Sequence, residues 1–103
     1  MGPRPSRKKI DRLCGEIREL TERKTTWLEV EKQIGRINRK LRGWSNYFRI
    51  GTVSPAYRVI DSHVRHRVRQ WLCAKFKVPG QGRARFPDAY LYQELGLYRL
   101  QRT

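Results

Sequence analysis

Acidic residues are scarce in this chain. Nine Asp and Glu stand against 24 Lys and Arg among 103 residues, so the formal net charge is +15. Polymerases and nucleases hold two metal ions with paired carboxylates, and no paired acidic motif is present. Between Lys32 and Arg85 the single acid is Asp61. We therefore expect no catalytic residues, no metal site and no cofactor, and we expect that this fragment is not an enzyme.

Long apolar runs and cysteines are also scarce. No stretch approaches the roughly 18 apolar residues of a membrane span, and the basic residues are spread over several segments, so we expect no membrane partner. Cys14 and Cys73 are predicted to be buried, reduced thiols, which is typical of a cytosolic compartment. His63 and His66 have a metal-compatible spacing, but no CxxC or carboxylate cluster completes a site.

The chain has no internal repeat and no alternating strand pattern, and its apolar residues recur instead at helical spacing. This spacing predicts a first helix over about 7–23 and a second from near Trp27 to about Ile50, with Thr26 and Glu29 as a capping box. A third helix starts at Ser54-Pro55 and ends around Lys77, and a short final helix starts at Pro87. The predicted fold is all-α: a small bundle of three main helices plus a short C-terminal helix. Residues 1–6 are predicted to be a disordered lead-in to one domain over 7–103.

The strongest local pattern is LRGWSNYFR, residues 41–49. Residues three and four apart share a helix face, so this segment has one apolar face and one basic, hydrogen-bonding face. Arg42, Asn46 and Arg49 form the basic face. The predicted core residues here and in the third helix are Leu41, Trp44, Phe48, Val64, Val68 and Trp71.

The excess of positive charge favours a nucleic-acid partner, because clustered Arg and Lys bind phosphates. The candidate contact residues are Arg39, Arg42, Asn46, Arg49, Arg58, Arg65, Arg69, Lys77, Arg83 and Arg85. Two alternatives stay open at this point. One is a generic basic helical module for DNA or ribosomal RNA. The other is a protein-interaction bundle whose apolar seam is partly open to a partner.

The segments LRGWSNYFRIG and SPAYRVIDSHVRHRVRQWLCAKFK together closely resemble the maturase-specific domain of group II intron-encoded proteins. This region is also called domain X, or the thumb of their reverse transcriptase. The ending FPDAYLYQELGLYRL is similar to the end of that domain in bacterial members. The resemblance covers the chain from about Ser6 to Leu100.

The resemblance implies a helical thumb that binds intron RNA, promotes its folding for splicing and supports reverse transcription in a longer protein. The implied partners are group II intron RNA, an RNA/DNA template-primer duplex, and the palm and fingers of a parent RNA-directed DNA polymerase. Leu41, Trp44 and Phe48 carry over as core and Arg42, Asn46 and Arg49 as the polar side of the motif. The acidic polymerase motif is absent, so polymerase activity cannot be assigned to this fragment. We expect a bacterial, cytoplasmic protein, and the start MGPRPS favours an excised domain over a free-standing one.

Overall fold

The computed structural model of the protein describes residues 7–47, 55–80 and 82–100. These ranges contain three α-helices, α1 (Arg7–Leu20), α2 (Val30–Tyr47) and α3 (Pro55–Phe76), and no strand. A 3-10 turn, Arg23–Thr25, lies between α1 and α2, and a π-helical turn, Tyr90–Glu94, follows α3. The all-α prediction is confirmed, and the short C-terminal helix is mainly this π-helical turn.

The core lies where the apolar faces of the three helices meet the C-terminal segment. From α1, Leu13 and Ile17 are buried, and α2 adds Ile34, Ile37 and Leu41. The α3 contribution includes the predicted core residues Val64, Val68 and Trp71, all with side chains at most 1% exposed. Burial of these side chains is the main driving force for assembling the bundle.

Trp44 is only partly buried, although it was predicted as a core residue. Its ring packs edge-to-face on that of Tyr57, with centroids 5.8 Å apart. Trp44 therefore packs against the buried core from its edge and is not one of its fully buried side chains. Phe48, the third member of the predicted apolar face, lies outside the described residues.

The connection between α1 and α2 differs from its prediction. The first helix ends at Leu20, and α2 begins at Val30 rather than near Trp27. Thr26 does not form the capping box, because its hydroxyl donates to the carbonyl oxygen of Arg23 at 2.9 Å. Thr21 likewise bonds the Ile17 carbonyl oxygen with its hydroxyl, at 2.9 Å. Such local hydroxyl–backbone bonds compete with continued helix and favour a turn.

The C-terminal segment docks on the helices and completes the core. Leu91, Leu97 and Leu100 are buried. Asn38 of α2 donates to the Gly96 carbonyl oxygen at 2.9 Å and accepts a bond from the Tyr98 backbone N–H at 2.7 Å. On α3, the buried carboxylate of Asp61 accepts the Leu100 N–H at 3.0 Å. The segment therefore holds a fixed position against both α2 and α3.

Candidate nucleic-acid interface

A groove runs between the outer side of α3 and the segment that follows the helix. It encloses about 720 Å³ and is called here the α3 groove. Its lining residues are Val59, Ser62, His63, Arg65, His66, Arg69, Arg83, Pro87 and Asp88. Three of the candidate contact residues, Arg65, Arg69 and Arg83, therefore meet at one concave surface.

The helical period explains how α3 supplies its side of the groove. Residues spaced by four, seven and eleven positions nearly share one side of an α-helix, which aligns Arg58, Ser62, Arg65 and Arg69. Exposure falls along this row, because Arg58 is exposed, Arg65 is half-buried and Arg69 is buried. Side chains in the same row thus meet different neighbours, and their roles differ accordingly.

Arg69 was predicted to contact RNA, but the fold itself uses its guanidinium. Its Nε donates to the Phe86 carbonyl oxygen at 2.8 Å, and its Nη2 lies 2.6 Å from Oδ1 of Asp88. The Arg69 side chain is 11% exposed, whereas that of Asp88 is 59% exposed. A guanidinium this buried needs such partners to offset its desolvation. Arg69 therefore anchors the segment at 86–88 to α3, and its contact with RNA stays a prediction.

Arg65, a second predicted RNA contact, is also bound by the fold, but less closely. Its Nε lies 3.5 Å from Oδ2 of Asp88, and its Nη1 donates to the phenol oxygen of Tyr92 at 3.1 Å. Burial raises the pKa of Tyr92, and the neighbouring Arg65 opposes that rise, so the phenol stays neutral at physiological pH. Arg65 therefore lines the groove with part of its guanidinium directed at Asp88 and Tyr92.

The exposed arginines in the groove and close to its lining residues in sequence are available to a ligand. Arg58 on α3 and Arg83 and Arg85 on the following segment are exposed. Arg83 also lines the α3 groove. Lys77 is exposed as well, but it lies at the C-terminal end of α3, beside a different cavity.

A second basic surface lies on α2, where Arg39, Arg42 and Asn46 are exposed. The Arg42 guanidinium lies over the Tyr98 ring, with its carbon 5.6 Å from the centroid. Arg49, predicted to share this face, lies outside the described residues.

Arg99 is a candidate contact residue that the sequence analysis missed. It is exposed, and its guanidinium lies 5.1 Å from the centroid of the Tyr92 ring, while that phenol also bonds Arg65. With Arg42 over the adjacent Tyr98, the tail joins the α2 surface to the α3 groove. The available signal was the cation beside an aromatic residue in LYRL, which is compatible with cation–π contacts.

His63 lines the α3 groove and contacts the backbone of α1. Its Nε2 lies 3.2 Å from the carbonyl oxygen of Cys14. Burial lowers the pKa of His63, and the positive charges of Arg67, His66 and Arg18 lower it further. Within the described ranges, no three His, Cys, Asp or Glu side chains are grouped as metal ligands.

Both cysteines carry free, half-buried thiols. Burial raises the pKa of Cys14, and the negative charge of Asp11 adds to that rise, so this thiol is a poor nucleophile. None of the described helices is long and apolar enough to cross a membrane.

The comparisons with known proteins agree with the sequence features that the structure gathers in α2 and α3. The family described as "Group II intron, maturase-specific domain" matches residues 10–90. Those residues include α1 from Ile10 onward, all of α2 and α3, and every residue that lines the α3 groove. No curated protein and no solved structure gives a significant match. Because the family match spans most of the chain, this protein belongs to the group II intron maturase-specific domain family.

Proposed function

We propose that this domain binds structured group II intron RNA through the rim of the α3 groove and the α2 surface, and so promotes folding of the intron for splicing. Family membership supports a maturase-related role. The observation that carries the proposal is the α3 groove itself, a concave surface of about 720 Å³ with arginines on both walls.

Some arginines of this region pair with Asp88 and others are exposed, and this difference fits phosphate binding. Arg65 and Arg69 contact Asp88 across the groove, whereas Arg83 lines it with an exposed side chain. Arg58 and Arg85 are exposed close to lining residues in the sequence. An arginine fork suits bidentate recognition of phosphate oxygens. A rigid wall with free guanidinium groups at the edge would bind the backbone of a folded RNA through its shape.

In a longer parent protein, the same domain would act as the thumb of a reverse transcriptase. Its partners would then include the RNA/DNA template-primer duplex and the palm and fingers domains, in a bacterial cytoplasm. The domain itself would contribute binding rather than chemistry.

The experiment is a binding comparison between a group II intron RNA, a shuffled RNA of equal length and a DNA duplex, at two salt concentrations. We expect preference for the intron RNA, and affinity that falls steeply with salt, since bound cations release counterions from the RNA. Equal affinity for intron and shuffled RNA would refute specific recognition. Preference for the DNA duplex would instead indicate a generic DNA-binding module.

A further inference from the structure

Trp27 is a large apolar side chain that the fold leaves uncovered. It lies in the α1–α2 connection with 77% of its surface exposed, the highest value among the exposed large apolar residues described. It takes no part in the hydrophobic core. An exposed indole offers a flat aromatic face on which a planar ligand can stack.

Trp27 lies in a turn that hydrogen bonds from α3 hold in place. The ammonium of Lys75 donates to the carbonyl oxygens on either side of Trp27, at 2.9 Å to Thr26 and 2.7 Å to Leu28. Nearby, the buried indole of Trp71 donates to the Thr25 hydroxyl at 3.0 Å. Since α3 holds this turn through side chains of its last turns, Trp27 is presented outward by a rigid support.

A second exposed aromatic side chain lies close to the same turn. Phe76, the last residue of α3, is 50% exposed. The Lys75 ammonium that bonds the turn lies 5.9 Å from the centroid of the Phe76 ring. Lys75 therefore links the turn that carries Trp27 to Phe76, and we call the surface formed by Trp27, Lys75 and Phe76 the Trp27 patch.

Positive charge adjoins the Trp27 patch. A cavity of about 410 Å³ is lined by Thr26, which precedes Trp27, by Lys77, which follows Phe76, and by Arg23. The nearby carboxylate of Glu22 is paired with Lys24, at 3.1 Å. Glu29, two residues beyond Trp27, is exposed. Arg23 and Lys77 share their cavity with Cys73 and Ala74 of the last turns of α3.

We propose that Trp27 stacks on an unpaired nucleobase, while a phosphate of the same strand lies between Arg23 and Lys77. Exposed aromatic rings beside basic side chains are the usual design of single-strand binding sites, since every base has a face on which to stack. Clustered cations next to the rings favour RNA over an apolar protein partner. The site is separate from the α3 groove, although the inference rests on the proposed function in that both ligands are RNA.

The test compares two short single-stranded ligands of equal length and charge, oligoadenylate and its abasic analogue, by fluorescence anisotropy. Trp27→Leu keeps an apolar side chain without a π face, and Trp27→Phe keeps the aromatic face. We expect the wild-type domain to prefer oligoadenylate by about 5- to 150-fold, the usual worth of stacking one base. Trp27→Leu should lose that preference and Trp27→Phe should retain most of it. Melting temperatures of both variants should match wild type, because Trp27 lies outside the core.

The outcomes separate this inference from the proposed function. An unchanged preference in Trp27→Leu, or equal binding of both ligands by wild type, would overturn the stacking site and assign the patch to a protein partner. Equal loss in Trp27→Leu and Trp27→Phe would also overturn it, since an aromatic face would then not be the requirement. Failure to distinguish intron from shuffled RNA would refute the proposed function alone, provided that the preference for bases over abasic sugar persisted.

Discussion

At the scale of single residues, Lys77 has the least favourable backbone among the described non-glycine residues. Its φ is +54°, in the left-handed region, directly after the end of α3. The N–H of Val78 reaches back to the Cys73 carbonyl oxygen at 2.9 Å, which is the pattern of a helix end that usually uses glycine. A lysine at this φ lowers the stability of the fold. Lys77 also lies beside the Trp27 patch, where we propose that its positive charge binds an RNA phosphate.

Replacing Lys77 should therefore stabilise the fold if the new residue is glycine. We expect Lys77→Gly to raise the free energy of unfolding by about 0.5–1 kcal/mol, because glycine adopts positive φ without steric cost. Lys77→Ala is the matched control, since it removes the same charge but keeps the Cβ atom. Urea denaturation measures both. Equal stability of the two variants would show that the backbone conformation is not the source of the cost.

Asp88 supplies a negative charge among the arginines of the α3 groove. Its half-exposed carboxylate neutralises part of the charge on Arg65 and Arg69. Asp88→Asn should raise affinity for RNA by about fivefold at low salt, because a like charge about 4 Å from a phosphate costs on the order of 1 kcal/mol even in water. Asp11→Asn, the same substitution at an exposed position of α1 outside both proposed RNA sites, is the control in a filter-binding assay. The same gain in both variants would mean that only total charge matters.

At the scale of elements, the segment after α3 is held by close packing at Gly82. Its φ is +71°, and a Cβ atom added there would lie 2.3 Å from Sγ of Cys73. Gly80 has a similar φ of +76° but open space around it. Both glycines therefore meet a backbone requirement for positive φ, but only Gly82 also meets a packing requirement for a missing Cβ atom.

We expect Gly82→Ala to destabilise the domain by about 2–4 kcal/mol, from strained backbone plus overpacking. Gly80→Ala should cost about 1 kcal/mol, from the backbone alone. Combining Gly82→Ala with Cys73→Ala should recover part of the loss, since the smaller side chain removes the clash. Thermal melts of wild type, Gly82→Ala, Cys73→Ala and the double variant measure this coupling. Strict additivity in the double variant would contradict the packing described between Gly82 and Cys73.

The packing of α1 on α3 should make stability depend on pH through His63. Its pKa is lowered below 6.5 in the folded state, chiefly by burial, so the unfolded chain binds the proton more tightly. Stability is therefore complete above pH 6.5 and falls as the pH drops through the folded pKa, by up to about 1.4 kcal/mol per pH unit. His63→Gln should reduce this fall, and an unchanged fall in that variant would contradict the role of His63. Denaturation midpoints at pH 7.5 and 5.5, chosen as about one unit on either side of the unfolded pKa, measure it.

The helices could be predicted from sequence because their apolar spacing is regular and local. The α1–α2 connection could not, since Thr25 and Thr26 bond backbone carbonyls of a turn that α3 holds in place through Lys75. The π-helical turn was missed for a related reason. Its bond from Leu95 N–H to Tyr90 O, at 3.1 Å, belongs to a segment positioned by long-range packing of Leu91 and Leu97.

At the scale of the whole molecule, the net charge of +15 predicted a polyanionic partner but did not show which cations are free. Spacing alone placed Arg58 and Arg69 in one row. The two arginines differ because Asp88, 19 residues after Arg69, pairs with Arg69 and not with Arg58 in the described structure. The docked tail adds Arg99 to the basic surface through Tyr92. Partners this distant in sequence become visible only in the fold.

The α3 groove is tested most directly by the salt dependence of binding to a group II intron RNA. The exposed pair Arg58→Ala and Arg83→Ala is combined in one variant, and Lys8→Ala with Arg12→Ala, on the outer face of α1, is its charge-matched control. If each groove arginine neutralises one phosphate, the slope of log K against log salt should become shallower by about 1.4–1.8 in the groove variant. The control should keep the wild-type slope. Equal slopes in both variants would contradict phosphate binding at the α3 groove.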